Sequence, residues 1–193
     1  MKISKLDLEP AAIDFLTSEG FEKLYEPQAY SVDAGILDGT SVLVSAPTAS
    51  GKTLIAMLGM LAHLPKHKSK IVYLSPLRAL AAEKFTEFKK LEKINLGRKI
   101  KVGISTGDFD SVEDKLENSD ILVLTNEKMD ALMRFGQSWI SEIGLVIVDE
   151  IHLIGDEGRG PTLEMVLTRL KSGLIGKIPQ IIALSATITN SDE

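Results

Sequence analysis

Residues 41–53 read S-V-L-V-S-A-P-T-A-S-G-K-T, and the rest of the chain is organised around this stretch. A short apolar run, Val42-Leu43-Val44, enters a loop of small residues and leaves through Gly51-Lys52-Thr53 into an apolar helical pattern. Strand, small-residue loop and helix in that order form a phosphate-binding loop. The residue types follow from the charge on a polyphosphate. A helix N-terminus offers it unpaired N–H groups and the positive end of a dipole. Small residues at Ala46, Ala49, Ser50 and Gly51 let backbone amides approach phosphate oxygens unobstructed, and Pro47 and Thr48 complete the loop. Lys52 adds a point charge at the β- and γ-phosphates, and the Thr53 hydroxyl takes one Mg2+ coordination position. The spelling is A-x-x-x-x-G-K-T, with Ala46 where a glycine is usual. That exchange requires a backbone at Ala46 without positive φ.

Composition bounds the remainder. The chain has 193 residues, 44% of them hydrophobic, enough for one sizeable core and one expected domain. No apolar run reaches the length of a membrane span, and the charged start M-K-I-S-K-L-D-L-E-P is no signal peptide. The absence of cysteine excludes disulfides and thiolate metal sites, and His63, His67 and His152 are too scattered for a metal cluster. A cytoplasmic protein with no membrane partner is expected. The net charge of −5 argues mildly against nucleic acid, but it divides into a basic block at 76–99 and an acidic block at 107–130.

Taken in order, residues 5–20 carry Leu6, Ile13, Phe15 and Leu16 in a helix-like pattern stopped by Gly20. Pro27 opens a second helix. Beside it, Gln28 is a candidate base reader, because an amide can pair with both the acceptor and the donor on an adenine edge. Buried-type strands are expected at 70–75, 120–124, 144–148 and 180–184, with a weaker one at 101–105. Helices are expected between them, one with Leu77, Ala81, Phe85 and Phe88 on a single face, and one capped by Asn126 and ending near Phe135. Strands that are apolar on both faces and alternate with helices predict an α/β fold, a mostly parallel sheet covered on both sides. Each polar motif falls just after a strand, where such sheets gather their ligands. Among these is Asp149-Glu150. A strand-end aspartate can hold the Mg2+ that Thr53 also meets, and the next carboxylate can take the proton of an attacking water.

The ordered set P-Q at 27–28, A-P-T-A-S-G-K-T at 46–53, S-P-L-R-A-L at 75–80, T-G at 106–107, T-N-E-K at 125–128, D-E-I-H at 149–152 and S-A-T at 185–187 resembles a superfamily-two helicase. D-E-I-H-L-I followed by R-G-P-T-L-E at 159–164 looks like the Ski-two-like branch, nearest its archaeal DNA repair helicases. The resemblance implies a RecA-like domain in which the S-A-T strand lies between the P-loop strand and the D-E-I-H strand. It implies ATP and Mg2+ as ligands, with adenine read by Gln28, phosphates held by residues 46–53 and the metal by Thr53 and Asp149. Glu150 becomes the hydrolytic base, and His152, Ser185 and Thr187 couple the nucleotide to the rest of the motor. Phe21 or Tyr25 covers the adenine face. Pro76, Leu77, Arg78, Thr106, Gly107, Thr125, Asn126 and Arg159 touch the backbone of a single strand. Arg78 and Arg159 also have a plainer reading, as helix caps or braces.

Helicases of this kind carry a second RecA-like domain whose arginines reach the γ-phosphate, a contact that contributes about 10³–10⁵ in rate to related phosphoryl transfers. The chain stops at Glu193, a few residues after S-A-T. The resemblance therefore implies the N-terminal motor domain alone, a domain that binds ATP but hydrolyses it poorly until joined to its C-terminal RecA-like partner. The expected substrate is single-stranded or branched DNA. An RNA helicase of the same branch and a non-unwinding ATP switch are the alternatives.

Overall fold

Six strands lie at the centre of the computed structural model, which describes residues 1–47, 50–107, 116–173 and 176–186. They are β1 (Val42–Ser45), β2 (Lys70–Ser75), β3 (Val102–Ser105), β4 (Ile121–Thr125), β5 (Ile143–Val148) and β6 (Gln180–Ser185). Their order across the sheet is β1-β6-β5-β2-β4-β3, and every pairing is parallel. The S-A-T strand thus runs between the P-loop strand and the D-E-I-H strand, the order that the family resemblance implies.

Side chains alternate across the sheet into two cores. Ile71 and Tyr73 of β2, Ile121 and Val123 of β4, Leu145 and Ile147 of β5, and Ile182 and Leu184 of β6 face one layer. That layer is built by α1 (Pro10–Ser18), α2 (Glu26–Asp33), α3 (Lys52–Lys66) and α4 (Arg78–Phe88). Val72, Leu74, Leu122, Leu124, Val146 and Val148 face the other way, onto α5 (Asn126–Phe135), α6 (Gly160–Lys171) and Trp139. Each fully buried Leu, Ile or Val contributes about 1.5–3 kcal/mol relative to exposure. A sheet covered on both faces therefore reads as unbroken apolar runs. The helix α3 is buried from Leu54 to Leu64, because it is wedged between the sheet and α2. Asp130 ties α5 to α6, accepting from Arg134 at 2.8 Å and Arg169 at 3.2 Å.

Several local expectations move. The first helix begins at Pro10 rather than residue 5, because proline fixes the first turn. Residues Ile3–Lys5 form a 3-10 turn, beside a bridge from Lys2 to Lys23. Leu77 is not on the buried face of α4: it is the extended residue before the helix and is 42% exposed. Asp120 lies outside β4, because its carboxylate accepts from Arg98 and from the Lys101 backbone N–H. The cap of α5 is Thr125, whose hydroxyl accepts from Lys128 N at 3.2 Å, and not Asn126. Among the described residues no helix is long and apolar enough to cross a membrane.

Near the end of α3, His63 is buried beside His67, with its Nε2 2.8 Å from Ser69 Oγ. Burial, and then the neighbouring His67, lower its pKa from 6.5 to about 4. The folded protein thus holds fewer protons here than the unfolded chain between those two values, so stability falls as pH drops through that window. Acidification from about pH 6.5 to pH 4 should cost about 2–3 kcal/mol through this residue. His63→Gln should flatten that part of a urea-denaturation profile against pH.

Candidate nucleotide site and adjoining groove

All six strands point their carboxyl ends at one edge, so the loops that follow them meet there. The phosphate loop leaves β1 with Ala46 buried and its N–H donating to Ser185 O at 3.1 Å, which extends the β1–β6 ladder. Ala46 does not have positive φ; among the described non-glycine residues only Glu150 does. Alanine therefore serves where glycine is usual. Gly51 cannot be exchanged so easily. Its φ is +80°, and a Cβ there would lie 2.2 Å from Gln28 Nε2. Lys52 folds back into the loop, donating to Ala46 O at 2.9 Å and Pro47 O at 3.4 Å. Ser50 Oγ is buried without a partner among the described residues. Thr48 and Ala49 lie outside the described residues.

Gln28 is 2% exposed, and both ends of its amide are used. Its Oε1 accepts from Tyr25 N at 2.7 Å, and Nε2 donates to Gly51 O at 3.3 Å and Ser50 O at 3.5 Å. This side chain joins the start of α2 to the loop. Of the two aromatic candidates, Phe21 packs against the first core, whereas Tyr25 is 71% exposed beside Gln28.

The acidic turn follows β5. Asp149 is buried, and Tyr73 donates its hydroxyl to Asp149 Oδ2 at 2.6 Å. Burial is the largest influence on this carboxyl and pushes it above the usual aspartate range, against the Tyr73 hydrogen bond. The Tyr73 hydroxyl is itself pushed well up by burial and by Asp149. Glu150 adopts left-handed backbone, φ 51° and ψ 47°, a conformation that costs a non-glycine residue about 1–3 kcal/mol. That turn aims its carboxylate across the sheet edge at β6. Glu150 Oε2 lies 3.2 Å from His152 Nδ1 and accepts from Ala186 N at 3.4 Å, while His152 Nδ1 is 3.3 Å from Ser185 Oγ. Four residues of the D-E-I-H and S-A-T motifs thus form one contact set. Thr187 lies outside the described residues.

The donors suit a small hard cation. Thr53 offers a hydroxyl and Asp149 a carboxylate, and a third cue is a stand-in charge: Lys84 Nζ donates to Thr53 Oγ1 at 2.8 Å. No cluster of three or more His, Cys, Asp or Glu able to hold a metal occurs among the described residues.

Beside this site is a groove of about 250 Å³ lined by Pro76, Leu77, Arg78, Thr106, Gly107, Thr125 and Arg159, with Glu127 and Lys128. Seven of the eight residues expected to touch nucleic acid meet here. The eighth, Asn126, does not: it is 2% exposed and turned inward, with Oδ1 unpartnered among the described residues. Three helix starts converge on the groove, since Leu77, Thr125 and Arg159 are the N-cap residues of α4, α5 and α6. Three positive dipole ends and two arginines suit phosphate oxygens. Neither Arg78 nor Arg159 makes an ion pair among the described residues. Gly160, next to Arg159, has a structural reason: a Cβ there would lie 2.2 Å from Ile154 O.

Sequence reasoning missed Tyr73 and Lys84, and from T-N-E-K it took Thr125 and Asn126 as contacts but not Glu127 and Lys128. A tyrosine hydroxyl inside a buried strand does signal a partner in the core. Lys84, within the charged run E-K-F-T-E, gives no such signal.

A parallel sheet with a phosphate loop on β1, an acidic turn on β5 and β6 between them defines a RecA-like nucleotide-binding domain. The chain belongs to the DEAD/DEAH box helicase family, whose model matches residues 25–193. It is 47% identical over 192 residues to the ATP-dependent DNA helicase Hel308 of Methanocella arvoryzae, and 45% identical over 193 residues to that of Pyrococcus abyssi. These matches cover 99% and 100% of this chain but 26% of each relative, so the chain spans about a quarter of their length. The structure of Mycobacterium smegmatis helicase Lhr bound to ssDNA and AMP-PNP matches with a TM-score of 0.81 at 26% identity. That match covers 97% of this chain and 26% of the other.

Because burial raises the Asp149 carboxyl above its unfolded value, the charged form costs stability as pH rises above the unfolded range. Asp149→Asn should therefore melt higher than the parent in nucleotide-free calorimetry at pH 7.

Proposed function

We propose that this chain is the ATP-binding motor domain of an ATP-dependent DNA helicase. It couples hydrolysis to movement along single-stranded DNA when joined to a second RecA-like domain. The observation that carries this reading is the contact set of Glu150, His152, Ser185 and Ala186, which ties the acidic turn to the strand beside the phosphate loop. The names of the Hel308 relatives favour DNA over RNA.

In this reading residues 46–53 wrap the phosphates and Lys52 leaves the loop carbonyls for the β- and γ-phosphates. Gln28 reads the adenine edge, exchanging its long contacts to Ser50 and Gly51, and Tyr25 covers the ring. Mg2+ held by Thr53 and Asp149 would neutralise charge on the phosphate oxygens. Glu150 takes the proton of the attacking water. His152 and Ser185, with Thr187 beyond them, pass the state of the γ-phosphate to β6. The groove holds a DNA backbone through Arg78, Arg159 and the three helix starts, so an acidic chain binds nucleic acid by local charge and dipoles. A second RecA-like domain would complete the site with arginines, and unwinding needs both.

Mg2+-ATP binding and hydrolysis, measured with and without single-stranded DNA, test the reading. Lys52→Ala should weaken nucleotide binding at least about tenfold, as expected for loss of a charge-assisted phosphate contact. In the chain joined to its second RecA-like domain, Glu150→Gln should retain the nucleotide and lose about 10²-fold or more of DNA-stimulated turnover. A nucleotide affinity indifferent to Lys52 would overturn the assignment of the loop.

Arg78→Ala and Arg159→Ala should weaken single-strand binding similarly across sequences. Each should reduce the slope of log K against log salt by about 0.7. Binding equally tight for RNA and DNA strands would redirect the substrate assignment to RNA.

A further inference from the structure

Lys84 sits in the middle of α4 and belongs to none of the motifs from which the nucleotide site was assembled. Its ammonium donates to Thr53 Oγ1 at 2.8 Å, with Glu87 at 3.1 Å and Glu83 at 3.4 Å, and only 14% of its side chain is exposed. Lysine ammoniums are strongly hydrated and ordinarily keep to solvent. This one is held against the start of α3, and its charge also acts on the buried Asp149 carboxylate.

Thr53 and Asp149 are the two oxygen donors assigned above to the divalent cation. A hydroxyl that accepts from an ammonium offers it the lone pairs that a metal would use. Two cations on one oxygen at full strength repel each other. Glu83 and Glu87, both within 3.4 Å of Nζ, provide the lysine with a second resting place on its own helix.

From this geometry we infer that Lys84 is a positioning residue. It acts as a resident counter-cation that holds the Thr53 hydroxyl and offsets Asp149 before nucleotide arrives, then yields Thr53 to Mg2+ and moves onto Glu83 and Glu87. The inference rests on the ATP and Mg2+ reading above and deepens it. Lys84 competes with the metal in the filled site and substitutes for it in the metal-free one.

The test is a titration of a fluorescent ATP analogue over Mg2+, from excess EDTA to millimolar metal, for the parent protein, Lys84→Met and Lys84→Arg. Lys84→Met should bind the analogue about 3- to 10-fold more weakly in EDTA, having lost a cation beside the polyphosphate. Its Mg2+ midpoint should move about 3- to 10-fold lower, because the competitor is gone. Lys84→Arg retains the charge and should return both readings toward the parent. Superimposable titrations for the parent and Lys84→Met would reduce Lys84 to a brace, and a higher Mg2+ midpoint in Lys84→Met would also overturn the inference. A parent protein that binds no analogue at any Mg2+ concentration would instead sink the nucleotide reading itself.

Discussion

Parallel hydrogen bonding is the constraint from which the site follows. Two parallel strands cannot be joined by a tight turn, so each must be followed by a crossover long enough to return the chain to its starting edge. Every β strand here therefore finishes at the same edge, and the residues just past Ser45, Ser75, Ser105, Thr125, Val148 and Ser185 lie along it. The helices that make the crossovers begin at that edge, so their N-terminal dipoles point where the loops gather. Anion binding is in this sense built into the topology, before any side chain is chosen. Side chains then divide the edge in two, with Lys52, Thr53 and Asp149 on the β1–β5 half and Arg78, Thr106 and Arg159 toward β4 and β3.

Between the halves sits a stretch of backbone held against its preference. Glu150 is left-handed, and the turn it makes is sustained by the contacts it creates, with His152 beside it and the Ala186 N–H across the edge. A conformation that costs about 1–3 kcal/mol persists only where its surroundings fix it. Anything that draws the Glu150 carboxylate toward another partner, such as a water in line with a phosphate, competes with those contacts and loosens the link to β6. In the proposed motor, chemistry at the acidic turn and the position of the S-A-T strand would be two readings of one hydrogen-bond set.

Much of this was legible beforehand. The apolar runs located the strands, because a sheet buried on both faces needs side chains such as Val146 and Ile147 to be apolar in succession. Motif spelling located the loop and the acidic turn. What was not legible depended on contacts between distant segments. The burial of Asn126 follows from the way α5 begins, with Thr125 taking the cap and turning the next residue inward. No periodicity argument distinguishes neighbours at that resolution. The Tyr73–Asp149 bond joins residues 76 positions apart, and Lys84–Thr53 joins residues 31 apart. The first is a product of the pairing of β2 with β5 and the second of α4 lying beside the start of α3, and no local pattern encodes either. Gln28 was read as facing a base, whereas its fold-level work is to pin Gly51. Both roles use the same amide, and composition alone could not rank them.

The placement of β6 also sets a timetable. Its hydrogen bonds to β1 join Val42 to Ile182, across a span of 140 residues like that between Ser41 and Ile181. At the usual elongation rate of about 5–20 residues per second, β1 waits roughly 7–30 s on the ribosome before its partner exists. Over that interval the edge of β1 that will receive β6 is an unpaired strand border, the kind that invites pairing with other chains, and the facing edge of β5 joins it for the last part of the wait. Contacts this distant in sequence are also the slowest to form in a chain that refolds from denaturant. The adjacency of phosphate loop and acidic turn, separated by one strand, comes into being only when β6 docks. A nascent chain therefore has a recognisable phosphate loop long before it has a nucleotide site, and the step that creates the site is the one that closes the sheet.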